Sequence, residues 1–196
     1  MPMKVYRATN MDRTIFGKLP YLFEYTNPVA QIGYYRTVYP ALTSDMVLLE
    51  RAEAQALQAD YNGAVADLLI WLGNISKNTF ELTPEAIVTA MNSVDYSLWD
   101  LSTVKKHLNP GFEIGAEGET MECMLQFILL CKRVEGLGVG QRWFDVNRYG
   151  IEIERRVIDA AGLPEKKTDK LVVRDPRRAL HIPRKVLDAG YEKNPR

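Results

Sequence analysis

Side chains suited to holding a sugar are concentrated in one polar loop near the middle of the chain. The loop reads NSVDYSLWD and contains Asn92, Asp95, Tyr96 and Trp99. An aromatic ring can cover the apolar C–H face of a pyranose, amide and carboxyl groups can bind its hydroxyls, and loops commonly carry binding residues. We therefore take these residues as a candidate ligand site. The alternative, which we consider stronger for Trp99, is that its ring only packs the loop onto the body of the protein.

A second charged and aromatic segment follows the most apolar helical stretch. It reads GLGVGQRWFDVNRYG over Gly136–Gly150. Arg142, Asp145 and Arg148 lie at three-residue steps, so on a helix they share roughly one face and can pair with each other. They form either a clamp for an anion or sugar carboxylate, or an internal ion-pair cluster, and we favour the cluster. The aromatic side chains expected to anchor this helix in the core are Trp143, Phe144 and Tyr149.

No group of residues points to catalysis. Glycosidases need two carboxyl groups held about 5 to 9.5 Å apart across a cleft, and the sequence gives no sign of such a pair. A phosphate-binding loop is absent as well, because the glycine cluster follows a predicted helix and not a strand. We interpret the acidic side chains of the loops as solvated charges, and they include Asp95, Asp100, Glu113, Glu117 and Glu119. We predict no enzymatic activity and no cofactor.

Metal binding and disulfide formation are not expected either. His107 and His181 are far apart and have no cysteine or acidic partner at zinc-ligand spacing. Cys123 and Cys131 are eight residues apart on one predicted helix, which separates their Cα atoms by roughly 12 Å at about 1.5 Å per residue. A disulfide needs a separation below about 7 Å. Both thiols are therefore expected to be free and buried.

The composition is that of an ordinary globular protein. The chain has 196 residues, 46% of them hydrophobic and 26% charged, which is enough to bury a substantial core. Its 25 basic and 25 acidic residues give a formal net charge of +0. This balance argues against a nucleic-acid binder, because such proteins neutralise phosphates with excess positive charge. No segment approaches the roughly 18 apolar residues of a membrane-spanning helix.

Hydrophobic periodicity predicts a mainly helical fold around a helical hairpin at residues 43–73. Thr43, Ser44 and Asp45 are candidate caps for the first helix, which is rich in alanine, and a D-Y-N-G turn at Asp60–Gly63 leads into a second helix near Ala64–Leu72. This pattern of an alanine-rich helix, a short turn and a second helix is typical of a tetratricopeptide-like unit. A single unit cannot bury its own faces, so it must stack on other elements.

Two irregular segments are predicted on either side of this hairpin. Residues 1–40 are an aromatic-rich lead-in, read as loops with at most a short strand, because no helical period survives among the prolines and glycines. Residues 74–118 form a loop insertion with one short helix at Pro84–Ser93. Thr83 can cap that helix, and proline suits its first position.

The rest of the chain is predicted to contain helices followed by a small β element. Residues 119–150 hold a long helix at Glu119–Val134 and a short one at Trp143–Tyr149. Residues 151–196 hold a β-hairpin and then a tail in extended or turn conformation. The hairpin strands are expected at Ile151–Ile158 and Lys170–Val173.

Three motifs of this sequence resemble those of the SusD/RagB family, and they follow one another along the chain in the family's order. GQRWFDVNRYG at Gly140–Gly150 resembles the family's EG-x-R-W-F-D-x-x-R-W/Y-G signature. LLERAEAQALQADY at Leu48–Tyr61 resembles its LLRAEAY…GDY helix pair, and LHIPRKVLDAGYEKNP at Leu180–Pro195 resembles its IP…E…NP…QNPG ending. The resemblance runs from about Tyr34 to the C-terminus.

The resemblance implies a non-catalytic outer-membrane lipoprotein that captures nutrients, mostly glycans, for a SusC-like TonB-dependent transporter. Members of the family are much longer, and Met1–Gly17 shows no signal peptide. We therefore expect this chain to be a C-terminal portion of an outward-facing protein, anchored only through a lipid on upstream chain. A tetratricopeptide-like scaffold for protein partners is the alternative, and a glycoside hydrolase ranks third.

Overall fold

The computed structural model describes residues 5–6, 15–16, 21–39 and 41–194. Within them the fold is mainly helical, with three antiparallel strand pairs and a short 3₁₀ helix at Pro176–Arg178. No helix in this described part is both long and apolar enough to cross a membrane. The predictions of a mainly helical fold and of a β-hairpin near the C-terminus are confirmed.

The element bounds are as follows. The helices are α1 (Ser44–Leu57), α2 (Tyr61–Ile75), α3 (Pro84–Asn92), α4 (Thr120–Glu135), α5 (Arg142–Arg148) and α6 (Arg184–Asp188). The strands are β1 (Val5–Tyr6), β2 (Ile15–Phe16), β3 (Tyr21–Asn27), β4 (Ile32–Thr37), β5 (Ile153–Ile158) and β6 (Pro164–Leu171). The strands pair as β1–β2, β3–β4 and β5–β6.

Side-chain caps set where the first three helices begin. Thr43 accepts the Met46 N–H at 3.2 Å, and Thr83 caps α3 in the same way. Asp60 accepts the Gly63 N–H at 3.0 Å, so α2 begins at Tyr61 and not near Ala64. The predicted turn is therefore a cap followed by the first helical turn, because an aspartate satisfies the free N–H groups that a new helix exposes.

Helix α4 lies at the centre of the core and packs against α1 and α3. Its side chains from Cys123 to Leu129 include the most completely buried apolar residues of the chain. Ala52 and Ala56 of α1 are fully buried, and their small size allows neighbouring helices to approach closely. Both cysteines are free and buried, as predicted. Burial raises the pKa of Cys131 to about 12, which keeps this thiol protonated at neutral pH.

The aromatic residues of α5 do not all enter the core. Tyr149, directly after the helix, is fully buried, and Trp143 is half-buried against the core. Phe144 is 69% exposed, so the prediction that it anchors the helix is wrong. A helix of seven residues can turn only one face inward, and the buried residues of this helix are Asp145 and Val146.

The β structure is more extensive than the sequence predicts. Residues 21–37 form a hairpin of strands β3 and β4 instead of loops, and Asn27 holds its turn by accepting the N–H groups of Val29 and Ala30. Within residues 1–20 the structure describes only β1 and β2, which pair with each other. The prediction of loops for the rest of that segment lies outside the described residues. In the second hairpin, β6 begins at Pro164, earlier than the predicted Lys170. The tail contains the short helix α6, which was also missed.

Candidate functional site

An open cleft of about 660 Å³ lies beside the loop that follows α3. One wall is formed by this loop, whose lining residues are Ser97, Leu98, Trp99, Ser102, Lys106 and His107. The opposite wall comes from the end of α4, from α5 and from the β5–β6 hairpin. Trp99 is 39% exposed, so part of its indole is available on this wall.

The loop keeps its shape through hydrogen bonds of its own, although it has no regular secondary structure. The Ser97 N–H donates to the Lys105 carbonyl at 2.9 Å, and the Leu98 N–H donates to the Leu101 carbonyl at 2.8 Å. These bonds close a tight loop, and Trp99 lies near the tip of that loop. Arg156 of β5 donates to the Leu98 carbonyl at 2.7 Å. The residue before Trp99 is therefore tied directly to the opposite wall.

A buried lysine fixes the base of the same loop. Lys105 is only 3% exposed. Its ammonium donates to the Met91 carbonyl at 3.0 Å and lies 4.2 Å from the centre of the Tyr96 ring. Burying an ammonium requires such partners, because a buried charge without them is very costly. Lys105 therefore joins the end of α3 to the loop that carries the candidate site.

Tyr96 belongs to the packing of this loop base. Its hydroxyl donates to Glu122 at 3.1 Å, and its ring stacks on His107 with centroids 4.6 Å apart. Burial, followed by the neighbouring Glu122 carboxylate, raises the pKa of Tyr96 well above its usual range. Tyr96 is not among the residues that line the cleft. A ring engaged in this way presents less surface to a ligand than Trp99 does.

Asn92 and Asp95 also lie away from the cleft. Asn92 donates to the Gly118 carbonyl at 3.0 Å and so joins the end of α3 to the segment that precedes α4. The backbone carbonyl of Asp95 accepts the Thr103 hydroxyl at 2.7 Å. Of the predicted ligand-binding residues, only Trp99 lines the cleft. The structure places the others in the framework that supports its loop.

Positively charged side chains that are distant from one another in the sequence line the cleft together. Lys106 comes from the loop, Arg133 from the last turn of α4, Arg142 from α5 and Arg156 from β5. Burial, and then repulsion from the three arginines, lowers the pKa of Lys106 to about 8. All four charged side chains line the same cleft. They lie on separate elements, so no local motif in the sequence reveals them.

A second cavity of about 450 Å³ lies between α1, α4 and α5, and two charged residues of the RWFD segment, Asp145 and Arg148, line it. Lys132 forms ion pairs there with Glu50, Glu53 and Asp145, at 2.9, 2.7 and 2.9 Å. The ion pair between Arg142 and Asp145 is longer than these three, at 3.4 Å. The predicted ion-pair cluster therefore exists, but its centre is Lys132 of α4.

Arg148 takes part in this cluster through α1 and not through Asp145. Its Nε donates to Glu53 at 3.0 Å, and Tyr149 donates to the same carboxyl oxygen. Burial pushes the pKa of Glu53 upward, but Lys132, Tyr149 and Arg148 outweigh it and hold the pKa below its usual range. A carboxylate satisfied in this way has a structural role, since its acceptor positions are already occupied.

The comparisons with known proteins add no family. No protein-family model, no curated protein and no solved structure matches the chain. The resemblance to the SusD/RagB family therefore stays a prediction from the three motifs. In the part of the chain that the structure describes, no group of three or more His, Cys, Asp or Glu side chains could hold a metal ion.

Proposed function

We propose that this chain is the glycan-capturing part of a SusD-like protein. In this proposal it binds an oligosaccharide without cleaving it, at the outer surface of a bacterial outer membrane, and passes it to a SusC-like TonB-dependent transporter. A lipid on upstream chain provides the membrane anchor. The helical hairpin of α1 and α2 is proposed to be a tetratricopeptide-like unit of the family's helical body.

The observation that carries the proposal is the position of Trp99. Its indole is partly exposed on the wall of a cleft that is open along one side and lined by polar groups. An open cleft suits a chain of sugars better than a small apolar molecule, which binds in a more enclosed pocket. A sugar ring on the indole gains about 1 kcal/mol for each roughly 40 Å² of apolar surface covered.

The organisation around the cleft also favours binding over catalysis. Its two carboxylates, Glu152 and Glu154, both belong to the β5–β6 region and each has a lysine partner. Glycoside hydrolysis requires one carboxyl group on each side of the scissile bond. Carboxylates that lie on one wall and are neutralised by lysines do not supply this arrangement.

Titration with oligosaccharides tests the proposal, with Trp99→Ala compared against Phe80→Ala. Phe80 is a matched control because it is also 39% exposed and does not line the cleft. We expect modest affinity for at least one oligosaccharide, clearly weakened in Trp99→Ala and kept in Phe80→Ala. Incubation with the same panel should release no reducing ends. Affinity that is equal in both variants, or turnover abolished by one Asp or Glu substitution, would refute the proposal.

The alternative function, a scaffold for protein partners, rests on the same helical hairpin. It predicts no affinity for any oligosaccharide. The titration therefore separates the two functions without requiring a known protein partner. A complete absence of binding across neutral and acidic oligosaccharides, in a folded protein, would remove glycan capture and leave the scaffold.

A further inference from the structure

The cleft beside Trp99 is locally positive, although the whole chain is neutral. Five of its lining residues are cationic and two are acidic, whereas the formal net charge of the chain is +0. The acidic residues, Glu152 and Glu154, pair with Lys170 and Lys167 of the same hairpin. They therefore do not neutralise the cations contributed by the loop, α4 and α5.

Three of these cations have hydrogen-bonding capacity to spare. Arg133 is exposed and makes no ion pair or hydrogen bond with the described residues of the chain. Arg156 uses one nitrogen on the Leu98 carbonyl, and its Nε is buried without a hydrogen-bond partner among the described residues. Lys106 has only a neutral partner, the Ser97 hydroxyl, at 2.7 Å. Lys106 and Arg156 thus have only neutral partners, and an anion bound in the cleft would give these cations charge-assisted hydrogen bonds.

We infer that the cleft selects acidic oligosaccharides, with a carboxylate or sulfate of the sugar bound among Lys106, Arg133 and Arg156 while a ring stacks on Trp99. This inference rests on the proposed function and names its substrate class. Guanidinium groups suit such a ligand because their planar donors match the two oxygens of a carboxylate or sulfate. Because the same loop carries both Trp99 and Lys106, one ligand can contact the indole ring and the ammonium group together.

A small acidic sugar fits the site better than a nucleic acid. The cations line a single cleft of about 660 Å³ beside one tryptophan, whereas nucleic-acid surfaces track a phosphate backbone with extended positive charge. Selectivity therefore depends on both the anion and the sugar ring.

Calorimetric titration with four tetrameric probes tests this inference. The probes are a galacturonic acid tetramer, a sulfated galactose tetramer, a neutral galactose tetramer and tetraglutamate. We expect at least one acidic sugar to bind about tenfold or more tightly than the neutral tetramer. The preference should weaken when the salt concentration rises, because screening reduces the attraction. Tetraglutamate should bind more weakly than the acidic sugars.

Arg133→Gln and Arg155→Gln provide a matched pair of variants. Both remove one positive charge from an exposed side chain, but Arg155 does not line the cleft. We expect Arg133→Gln to reduce the preference for acidic over neutral sugar severalfold, and Arg155→Gln to leave it unchanged. The carboxylate and sulfate probes distinguish the two possible sources of the anion.

The outcomes distinguish a failure of this inference alone from a failure of the proposed function. If neutral and acidic tetramers bind equally, glycan capture stands and the acidic selectivity is refuted. If tetraglutamate or a single-stranded oligonucleotide binds as well as the acidic sugars, the site recognises charge alone and the inference fails. If no sugar binds at all, both fail together.

Discussion

The hydroxyl of Tyr149 donates a hydrogen bond of 2.7 Å to Glu53, and both side chains are buried. The bond joins the end of the RWFD segment to the middle of α1, across 96 positions of sequence. The same carboxylate also receives Lys132 of α4 at 2.7 Å and Arg148 at 3.0 Å. Glu53 is thus the point at which α1, α4 and the segment around α5 are fastened to each other.

Tyr149→Phe should therefore destabilise the protein without creating a cavity. It removes one donor from a buried carboxylate, and hydrogen bonds to charged groups contribute about 1.5–3 kcal/mol. We expect a loss of that size in the free energy of unfolding, measured with urea. The control Tyr191→Phe, at an exposed tyrosine, should change it by less than about 0.5 kcal/mol. Equal effects of the two substitutions would contradict the role assigned to Glu53.

Glu53→Gln should lower stability most strongly at neutral pH. It leaves Lys132 and Arg148 without their shared carboxylate, and breaking a buried ion pair costs about 3–5 kcal/mol. Lys132 keeps Glu50 and Asp145, so we expect the lower end, about 3 kcal/mol. The exposed Glu165→Gln serves as control. Urea unfolding at pH 7 measures both variants.

The destabilisation by Glu53→Gln should also depend on pH. The folded pKa of Glu53 lies below its unfolded value, so its contribution is present above the unfolded pKa, about 4.3. It disappears as pH falls through the lower folded pKa. The difference between wild type and Glu53→Gln should therefore shrink as pH falls below about 4. A difference that stays constant from pH 7 to about pH 3 would show that the charge of Glu53 does not stabilise the fold.

Gly150→Ala should be more damaging than the same change at Gly162. Both glycines have positive φ, 57° and 82°, which costs alanine about 1–2 kcal/mol. A Cβ at Gly150 would also overlap the backbone carbonyl of Asn109, whereas the space around Gly162 is open. We expect about 1–2 kcal/mol for Gly162→Ala and a clearly larger loss for Gly150→Ala in thermal unfolding. Similar melting temperatures of the two variants would mean that the backbone at Asn109 shifts and makes room for the new Cβ.

Local signals in the sequence predicted the helices well. Thr83 was predicted as a cap, and Thr43 was one of three candidate caps, because a side-chain oxygen at that position satisfies nearby N–H groups, a purely local effect. The part of β6 that precedes Lys170 was missed because the PEKKTDKL sequence shows no apolar alternation. Its pairing instead includes cross-strand ion pairs such as Lys167 with Glu154. Such partners become visible only once the hairpin is formed.

The candidate site was predictable only in part. Trp99 stood out because a tryptophan in a polar loop is conspicuous, and it does line the cleft. Tyr96 has the same sequence context, yet its hydroxyl bonds to Glu122. Which of the two rings faces outward depends on tertiary contacts. The cations Arg133 and Arg156 carry no local signal, because long-range folding alone brings the end of α4 beside β5.

Anion binding in the cleft should fall as pH rises through about 8. The pKa of Lys106 is lowered to about 8 by burial and by repulsion from the arginines. A bound anion favours the protonated lysine, so affinity is highest below this pKa and decreases above it. We expect the affinity for an acidic tetramer to decrease between about pH 7 and about pH 9.5, measured by calorimetry.

Lys106→Arg isolates the contribution of this one lysine. Arginine keeps its charge throughout that pH range, so the variant should bind acidic sugar with little change between the two ends. The other charged groups on the cleft are Arg133, Arg142, Arg156, Lys170, Glu152, Glu154 and His107. Any pH dependence that Lys106→Arg retains belongs to them. A decrease as steep as in wild type would exclude Lys106 as its source.

A double-mutant cycle between Trp99 and Arg133 tests the central claim most directly. Wild type, Trp99→Ala, Arg133→Gln and the double variant are titrated with an acidic tetramer that binds and with its neutral counterpart. We predict that Trp99→Ala weakens both sugars, whereas Arg133→Gln weakens only the acidic one. With the acidic sugar, the two losses should be non-additive by about 0.5 kcal/mol or more, since both residues hold one ligand. Unchanged affinity in the folded double variant would place glycan binding outside this cleft.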